Sequence, residues 1–460
     1  MVNKFPDKRH VSPEKNAVFL SLLSTGICAL CGAFVMYSAA KWHSSQTFAV
    51  FSFGWGVFAF ADYLSAFGIP ESVFCKVSGY PFKNPRQTHL LFRSAVAAVI
   101  FTGCAVSLVL WLVSFAYPPG YGCAMSAVSI IVPLCAVNKT VLWYLNALMK
   151  FRLVAAGRAL RYITAAVSMI FFRRSGIDEN LLILVFAPGE ILLSIFLFFK
   201  TTRIFPMVHI RAGSVFPVFR HYFSWISDMA AKHLSFGWRV MPGTALLDGN
   251  IRMGLFLIPF IPALRENADV AAVFAGAVVM CDALNQVLLT VRNVFAPGLM
   301  KAFSEIDVSF QKLLSAEGKV LRAGLTSFLL SILFSVSMAA GVWGLRFAGI
   351  LSENSVYSRA LEYAPLILTA MVVFAPMSPF TLILQGFGYP GANSLIMVIL
   401  TVLHGIFAYV MGTYFSVWGL AMAMCMYFVL LCLAVMMSIR FVFRKKAGDA
   451  GYSPLLGLME

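Results

Sequence analysis

The chain has 460 residues, 60% of them hydrophobic and only 12% charged, with a formal net charge of +16 and a mean hydropathy of +0.85. A soluble domain is about 45–50% apolar and about 25% charged, so these values exclude a soluble enzyme or nucleic-acid-binding module and describe an integral membrane protein. The excess of Lys and Arg is the kind that membrane topology produces and calls for no nucleic-acid partner.

In chain order, the first fifteen residues are polar and basic (Lys4, Lys8, Arg9, Lys15). The apolar run after them is longer than the roughly 7–15 residues of a signal-peptide core, so it is expected to be a retained membrane helix. A crossing needs about 20 mostly apolar residues. Such runs occur near 16–40, 44–68, 89–116, 121–149, 153–173, 179–200, 233–262, 268–295, 320–346, 360–386, 390–413 and 416–440. The expected fold is therefore all-α and membrane-embedded, with twelve transmembrane helices; long continuous runs exclude an alternating β-barrel. The longest connection divides the chain into an amino-terminal six-helix lobe (1–200), a cytoplasmic linker (201–232), a carboxy-terminal six-helix lobe (233–446) and a cytoplasmic tail (447–460).

Lys and Arg set the orientation. With the N-terminus in the cytoplasm, most of the 35 basic residues fall in cytoplasmic connections, including Lys150, Arg152, Arg158 and Arg161, and both termini are cytoplasmic. An even number of spans per lobe makes any repeat a parallel one; Phe60-Ala61-Asp62-Tyr63-Leu64 and Met280-Cys281-Asp282-Ala283-Leu284 echo each other. Pro133, Pro188-Gly189-Glu190, Pro242-Gly243, Pro259 and Pro376/Pro379 fall inside spans, where proline frees a backbone carbonyl that neighbours or water must satisfy.

No catalytic constellation is present: there is no H-E-x-x-H, G-x-S-x-G or P-loop, and the expectation is a protein that is not an enzyme. No cofactor and no metal are expected either. The cysteines lie mostly in apolar runs, where they act as small hydrophobes, and the C-x-x-C of Cys28 and Cys31 has no second pair or nearby His. The glycosylation sequon at Asn138 lies inside a span and is discarded.

What remains is a set of polar groups inside apolar spans, densest between Phe236 and Pro297. A charge at mid-bilayer on a helix costs about 2.5–3.5 kcal/mol, so these groups are expected to face a shared central cavity. Lys139 and Asn146 stand two turns apart on one face of the fourth span, and Asp248 precedes Arg252 at i,i+4 in the seventh. Lys139, Arg252, Arg239, Asn146 and Arg292 are the candidates for holding an anionic substrate. Asp62, Glu190, Asp248 and Asp282 are the candidates for ion coupling, since burial raises a carboxyl pKa. Arg252 is expected to be partly neutralised by Asp248, which leaves Lys139 as the freer ligand. His404 and Asp62 also read as interhelical hydrogen-bonding groups.

Several local patterns together resemble a known family: Ala61-Asp62-Tyr63-Leu64-Ser65-Ala66-Phe67-Gly68 at the end of the second span, Asp248–Gly254 in the seventh, Pro297-Gly298-Leu299-Met300 after the eighth, Tyr357-Ser358-Arg359-Ala360 at the start of the tenth, and Trp418-Gly419-Leu420-Ala421-Met422-Ala423 in the twelfth. In order and spacing they resemble the oligosaccharide-flippase branch of the multidrug/oligosaccharidyl-lipid/polysaccharide (MOP) exporter superfamily. The resemblance implies two six-helix lobes around a cationic cavity that opens to one side at a time. It also implies a bacterial inner-membrane protein that moves undecaprenyl-diphosphate-linked oligosaccharide to the periplasmic leaflet, coupled to an ion, beside a polysaccharide polymerase and chain-length proteins. The turn Gly388-Tyr389-Pro390-Gly391-Ala392 lacks the basic residue such turns often carry. A drug/cation antiporter of the same superfamily is the alternative; its cavity should be acidic. A membrane polymerase or glycosyltransferase lacks the large outer loop it would need.

Overall fold

The computed structural model describes residues 13–78, 85–175, 178–204, 215–304, 310–353, 355–380 and 390–449. The described elements are all helical: α1 (Pro13–Trp42), α2 (Ser45–Ala66), α3 (Ile69–Ser78), α4 (Pro85–Ser114), α5 (Pro119–Ala147), α6 (Phe151–Ser175), α7 (Ala187–Ile204), α8 (Val215–Ile251), α9 (Met253–Leu257), α10 (Pro262–Arg265), α11 (Ala268–Ser304), α12 (Phe310–Phe347), α13 (Val356–Ala360), α14 (Ala364–Phe374) and α15 (Pro390–Asp449). Tight 3-10 turns cover Glu179–Phe186, Ile258–Phe260 and Ala375–Phe380. Among the described residues, nine helices are long and apolar enough to cross a membrane, one of them the 48-residue stretch Gly391–Ser438 of α15. Outward-facing Leu321, Leu325, Leu329, Leu333 and Val336 run down one side of α12. An unbroken apolar stripe of that kind suits lipid rather than water.

Helix ends depart from expectation at three places. First, helix continues to Ile204 and resumes at Val215, which narrows the expected 201–232 linker. Second, α8 passes through Pro242 without breaking. Here Ser394 of α15 inserts its hydroxyl into the ladder: it accepts from the Gly243 N–H at 3.1 Å and donates to the Arg239 carbonyl. One side chain thus replaces a lost i→i−4 bond, as a proline in a membrane helix requires. The break comes later, at Arg252, with φ −106° and ψ 4°. Third, Arg158 and Arg161 lie in mid-helix on α6 rather than at a cytoplasmic end, so they carry no topological weight. Neither terminus, nor the Gly388–Tyr389 part of the proposed basic-poor turn, lies within the described residues.

Two runs that the sequence reads as separate spans join in α15 across a kink at Ser416, whose φ of 54° and ψ of −130° are non-helical. The turn is tight: a Cβ on Gly419 would stand 1.9 Å from the Met411 carbonyl oxygen. An L side chain at positive φ is strained, whereas glycine is not. Ser416→Gly is therefore expected to stabilise the protein by about 1 kcal/mol, read as a rise in the thermal midpoint of the detergent-purified chain. An unchanged or lower midpoint would show the turn to be relaxed with serine.

The two halves of the chain meet at both ends of α2. At one end, Phe48, Phe51, Phe53, Trp55 and Phe58 of α2 share a core with Leu255, Ile258, Ile261, Ala271 and Phe274. There Phe48 packs on Tyr357 with ring centroids 6.2 Å apart, and Tyr117 on Phe260 at 5.1 Å. At the opposite end, Phe67 stacks near Trp238 at 6.2 Å, and Ser72 Oγ is 2.9 Å from His233 Nδ1. Gly68 (φ 66°) and Gly237 bring two backbones together beside these contacts. Arranged between the two ends are the buried polar groups.

Candidate functional site

α2 is the spine of the polar layer. Its apolar residues fill the shared core, so its few polar groups are forced into positions that another helix must satisfy. On α2, Asp62 and Tyr63 hold Lys139 of α5 between them: Lys139 Nζ is 3.0 Å from Asp62 Oδ2 and 3.0 Å from the centroid of the Tyr63 ring. The ammonium thus has a carboxylate on one side and a π-face on the other. The second Asp62 oxygen, Oδ1, is buried and makes no hydrogen bond. Lys139, expected from sequence to be the freer ligand, thus has one carboxylate partner, Asp62.

Arg252, only 1% exposed, is the centre of a second group. Its guanidinium pairs with the carboxylates of Asp248 and Asp282 and also donates to the Asp248 carbonyl at 3.1 Å. The i,i+4 pair expected between Asp248 and Arg252 is present, but a second carboxylate joins it. One cation between two carboxylates leaves one formal negative charge, which neutral donors must stabilise in a buried place. Trp55 Nε1 of α2 donates to Asp282 Oδ2 at 3.2 Å, and Asn285 Nδ2 lies 3.4 Å from Asp248 Oδ1. The Trp55 bond ties this group to the other half of the chain.

Glu190, fully buried, forms the third group. It pairs with Arg161 of α6 and accepts from Asn138 Nδ2 at 2.8 Å; Asn138 Oδ1 in turn accepts from Ser194 at 2.7 Å. A fourth, uncharged cluster holds α8 to α15. His404 Nδ1 is 2.9 Å from Asn250 Oδ1, Asn250 donates to Thr401 at 2.7 Å, and the His404 ring stacks on Tyr427 at 4.9 Å.

Arg292 of α11 is 7% exposed. Among the described residues, no carboxylate lies within ion-pair distance of it, and its Nε has no hydrogen-bond partner. Glu71, at the start of α3 and outside the spans, reports on its surroundings. Burial pushes its carboxyl above the usual range, while Lys139 and, more weakly, Arg292 draw it down. Asn146 is buried two turns along α5 from Lys139. Arg239 departs from expectation: it is exposed on α8 and is not brought to the cluster.

Sequence reasoning missed Trp55, Tyr63, Glu71 and Arg161 as members of these groups. Arg161 was legible, since it stands near the middle of a 25-residue helix. The roles of Trp55 and Tyr63 depend on which face of an almost wholly apolar helix meets a charge, and no periodic signal marks that.

By sequence, the chain matches no family model and no curated protein. By structure, it is similar to a MATE transporter crystallised in the straight conformation, at 14% identity and a TM-score of 0.64, over 94% of this chain and 97% of that one. It is also similar to MATE in complex with MaL6, at 13% identity and a TM-score of 0.66 over the same shares of the two chains. A third likeness is to the outward-facing conformation of a multidrug resistance MATE family transporter of the MOP superfamily, at 13% identity and a TM-score of 0.62, over 95% of this chain and 97% of that one. Likeness at this level of identity carries architecture only: along nearly its whole length, the chain has the fold of the MATE transporters of the MOP superfamily.

Proposed function

We propose that this protein is a lipid-linked oligosaccharide flippase of the bacterial inner membrane. On this reading the chain crosses the membrane twelve times as two six-helix lobes (1–200 and 233–446), with both termini cytoplasmic. It moves undecaprenyl-diphosphate-linked repeat units to the periplasmic leaflet by alternating access coupled to an ion, for surface polysaccharide synthesis alongside a polymerase and chain-length proteins. Asp62, Glu190, Asp248 and Asp282 are its ion-coupling candidates; Lys139, Arg252, Asn146 and Arg292 are its substrate groups.

One observation carries the choice of an anionic substrate. Asp62, Glu190, Asp248 and Asp282 all stand in ion pairs, whereas Arg292 stands in none among the described residues. An interior with an unpaired cation, and with these acids already engaged, suits a diphosphate better than an organic cation. A guanidinium offers an anion a rigid fork of donors, and an ammonium offers a mobile point charge. The competing reading, a drug/cation antiporter, draws on the fold likeness to a multidrug transporter.

Reconstitution separates the two. Vesicles carrying the purified chain and undecaprenyl-diphosphate-linked oligosaccharide are expected to expose the glycan on the opposite leaflet, and Lys139→Ala should reduce that rate at least about tenfold. Efflux of an organic cation without glycan movement would establish the antiporter instead. Full activity of Lys139→Ala would place the headgroup elsewhere.

A further inference from the structure

The arrangement around Lys139 contains its own competitor for an anion. We propose that Asp62 is a displaceable internal counter-ion: it occupies the seat that a diphosphate takes on Lys139, and it returns when the ligand leaves. The proposal rests on the reading of the substrate as an anion, and it concerns how that site is emptied and filled.

Three features place Asp62 in this role rather than in a purely structural one. First, its pairing with Lys139 uses one oxygen only; Oδ1 is buried without a partner. A carboxylate kept solely to hold helices together is normally bonded at both oxygens, as Asp282 is by Arg252 and Trp55. An acceptor left unmet in a buried place weakens the bound state and eases release. Second, Lys139 and Asp62 are 12% and 15% exposed at their side chains, whereas Arg252 and its two partners are 1%, 5% and 8% exposed. Both members of the Lys139 pair are thus partly open to an incoming group, unlike those of the Arg252 group. Third, Tyr63 holds the ammonium from the ring side at 3.0 Å, so Lys139 keeps its place when Asp62 swings away.

The chemistry is an exchange of counter-ions. A diphosphate brings more negative charge and more acceptor atoms than one carboxylate, so it can displace Asp62 from Lys139. After the ligand departs, Asp62 re-pairs and the buried ammonium is never left alone. Removing that competitor strengthens binding; removing Lys139 removes both the seat and the competition.

The test uses the full purified chain and inorganic pyrophosphate, titrated by isothermal calorimetry. Asp62→Asn is expected to bind about tenfold more tightly than the native chain, as is usual for two groups competing for one partner. Lys139→Gln is expected to weaken binding, and Asp62→Asn is expected to give no gain in the Lys139→Gln background. Asp62→Ser serves the same purpose if Asp62→Asn does not yield monodisperse protein. No tightening, or the same tightening with Lys139→Gln present, would overturn the exchange and leave Asp62 as a general source of field. The vesicle assay above separates this from the substrate reading: tightened pyrophosphate binding with no glycan movement by the native chain would sustain the Asp62 exchange and sink the lipid-linked substrate.

Discussion

Arg252→Leu is expected to remove most of the folded protein from the membrane. The arginine is 1% exposed, and among the described residues its side chain is the cation paired with both Asp248 and Asp282. Leucine fills much of the volume but leaves two carboxylates facing each other in a buried place. Breaking a buried pair from one side costs about 3–5 kcal/mol, a large share of the roughly 5–15 kcal/mol by which a protein is stable. The chain also turns at Arg252, where helix α8 gives way to α9, so the loss falls at a point where no continuous ladder supports the backbone. The triple variant Asp248→Asn, Arg252→Leu, Asp282→Asn removes all three charges together and is expected to recover much of the lost stability, since a neutral, filled site can match a buried ion pair. Membrane-fraction quantitation and melting in detergent read both. A single Arg252→Leu variant within about 1 kcal/mol of the native chain would mean that water reaches the two carboxylates.

That group also marks how far the sequence could be read. Apolar runs place the helices because a membrane allows few other structures, and an i,i+4 acid–base pair on one helix is visible without coordinates. Asp282 stands 30 residues from Arg252, and Trp55 stands 227 from Asp282. Their meeting follows from how helices pack, which no local pattern encodes. The echo of Asp62 and Asp282 in the two halves was legible, and each of those aspartates holds a cation: Asp62 on Lys139 and Asp282 on Arg252. What the echo did not reveal is which cation. The sequence suggests Lys139 as the freer of the two because Asp248 stands one turn before Arg252, whereas the partner of Lys139, Asp62, lies 77 positions away from it. At Pro242 a neighbour is expected to satisfy the freed backbone, and Ser394, 151 residues away from Gly243, is that neighbour; which residue it would be is not written locally.

Gly237→Ala is expected to hold one end of the molecule open and to abolish transport while leaving the amount of protein near normal. A Cβ at position 237 would stand 1.9 Å from the Phe67 carbonyl oxygen, a separation that real side chains do not tolerate. The obstacle is backbone, so no rotamer change relieves it; α2 and α8 must part by more than an ångström. Overpacking a close contact typically costs about 1–3 kcal/mol, and here the cost falls on the closed arrangement alone, because the two glycines touch only when the halves meet. The Phe67–Trp238 contact and the buried Ser72–His233 hydrogen bond lie beside the same crossing and would be lost with it. A shift of about 3 kcal/mol is more than a hundredfold in a two-state equilibrium, enough to trap an alternating-access cycle on one side. Ser72 is fully buried, so a cysteine there, in a background with the native cysteines replaced, is a direct reporter. Water-soluble maleimide should label Ser72→Cys slowly in the native background and rapidly with Gly237→Ala present. Equal labelling in the two backgrounds, with transport intact, would show that this crossing does not close the site. Equal labelling with transport lost would put the defect in a step other than the parting of α2 from α8.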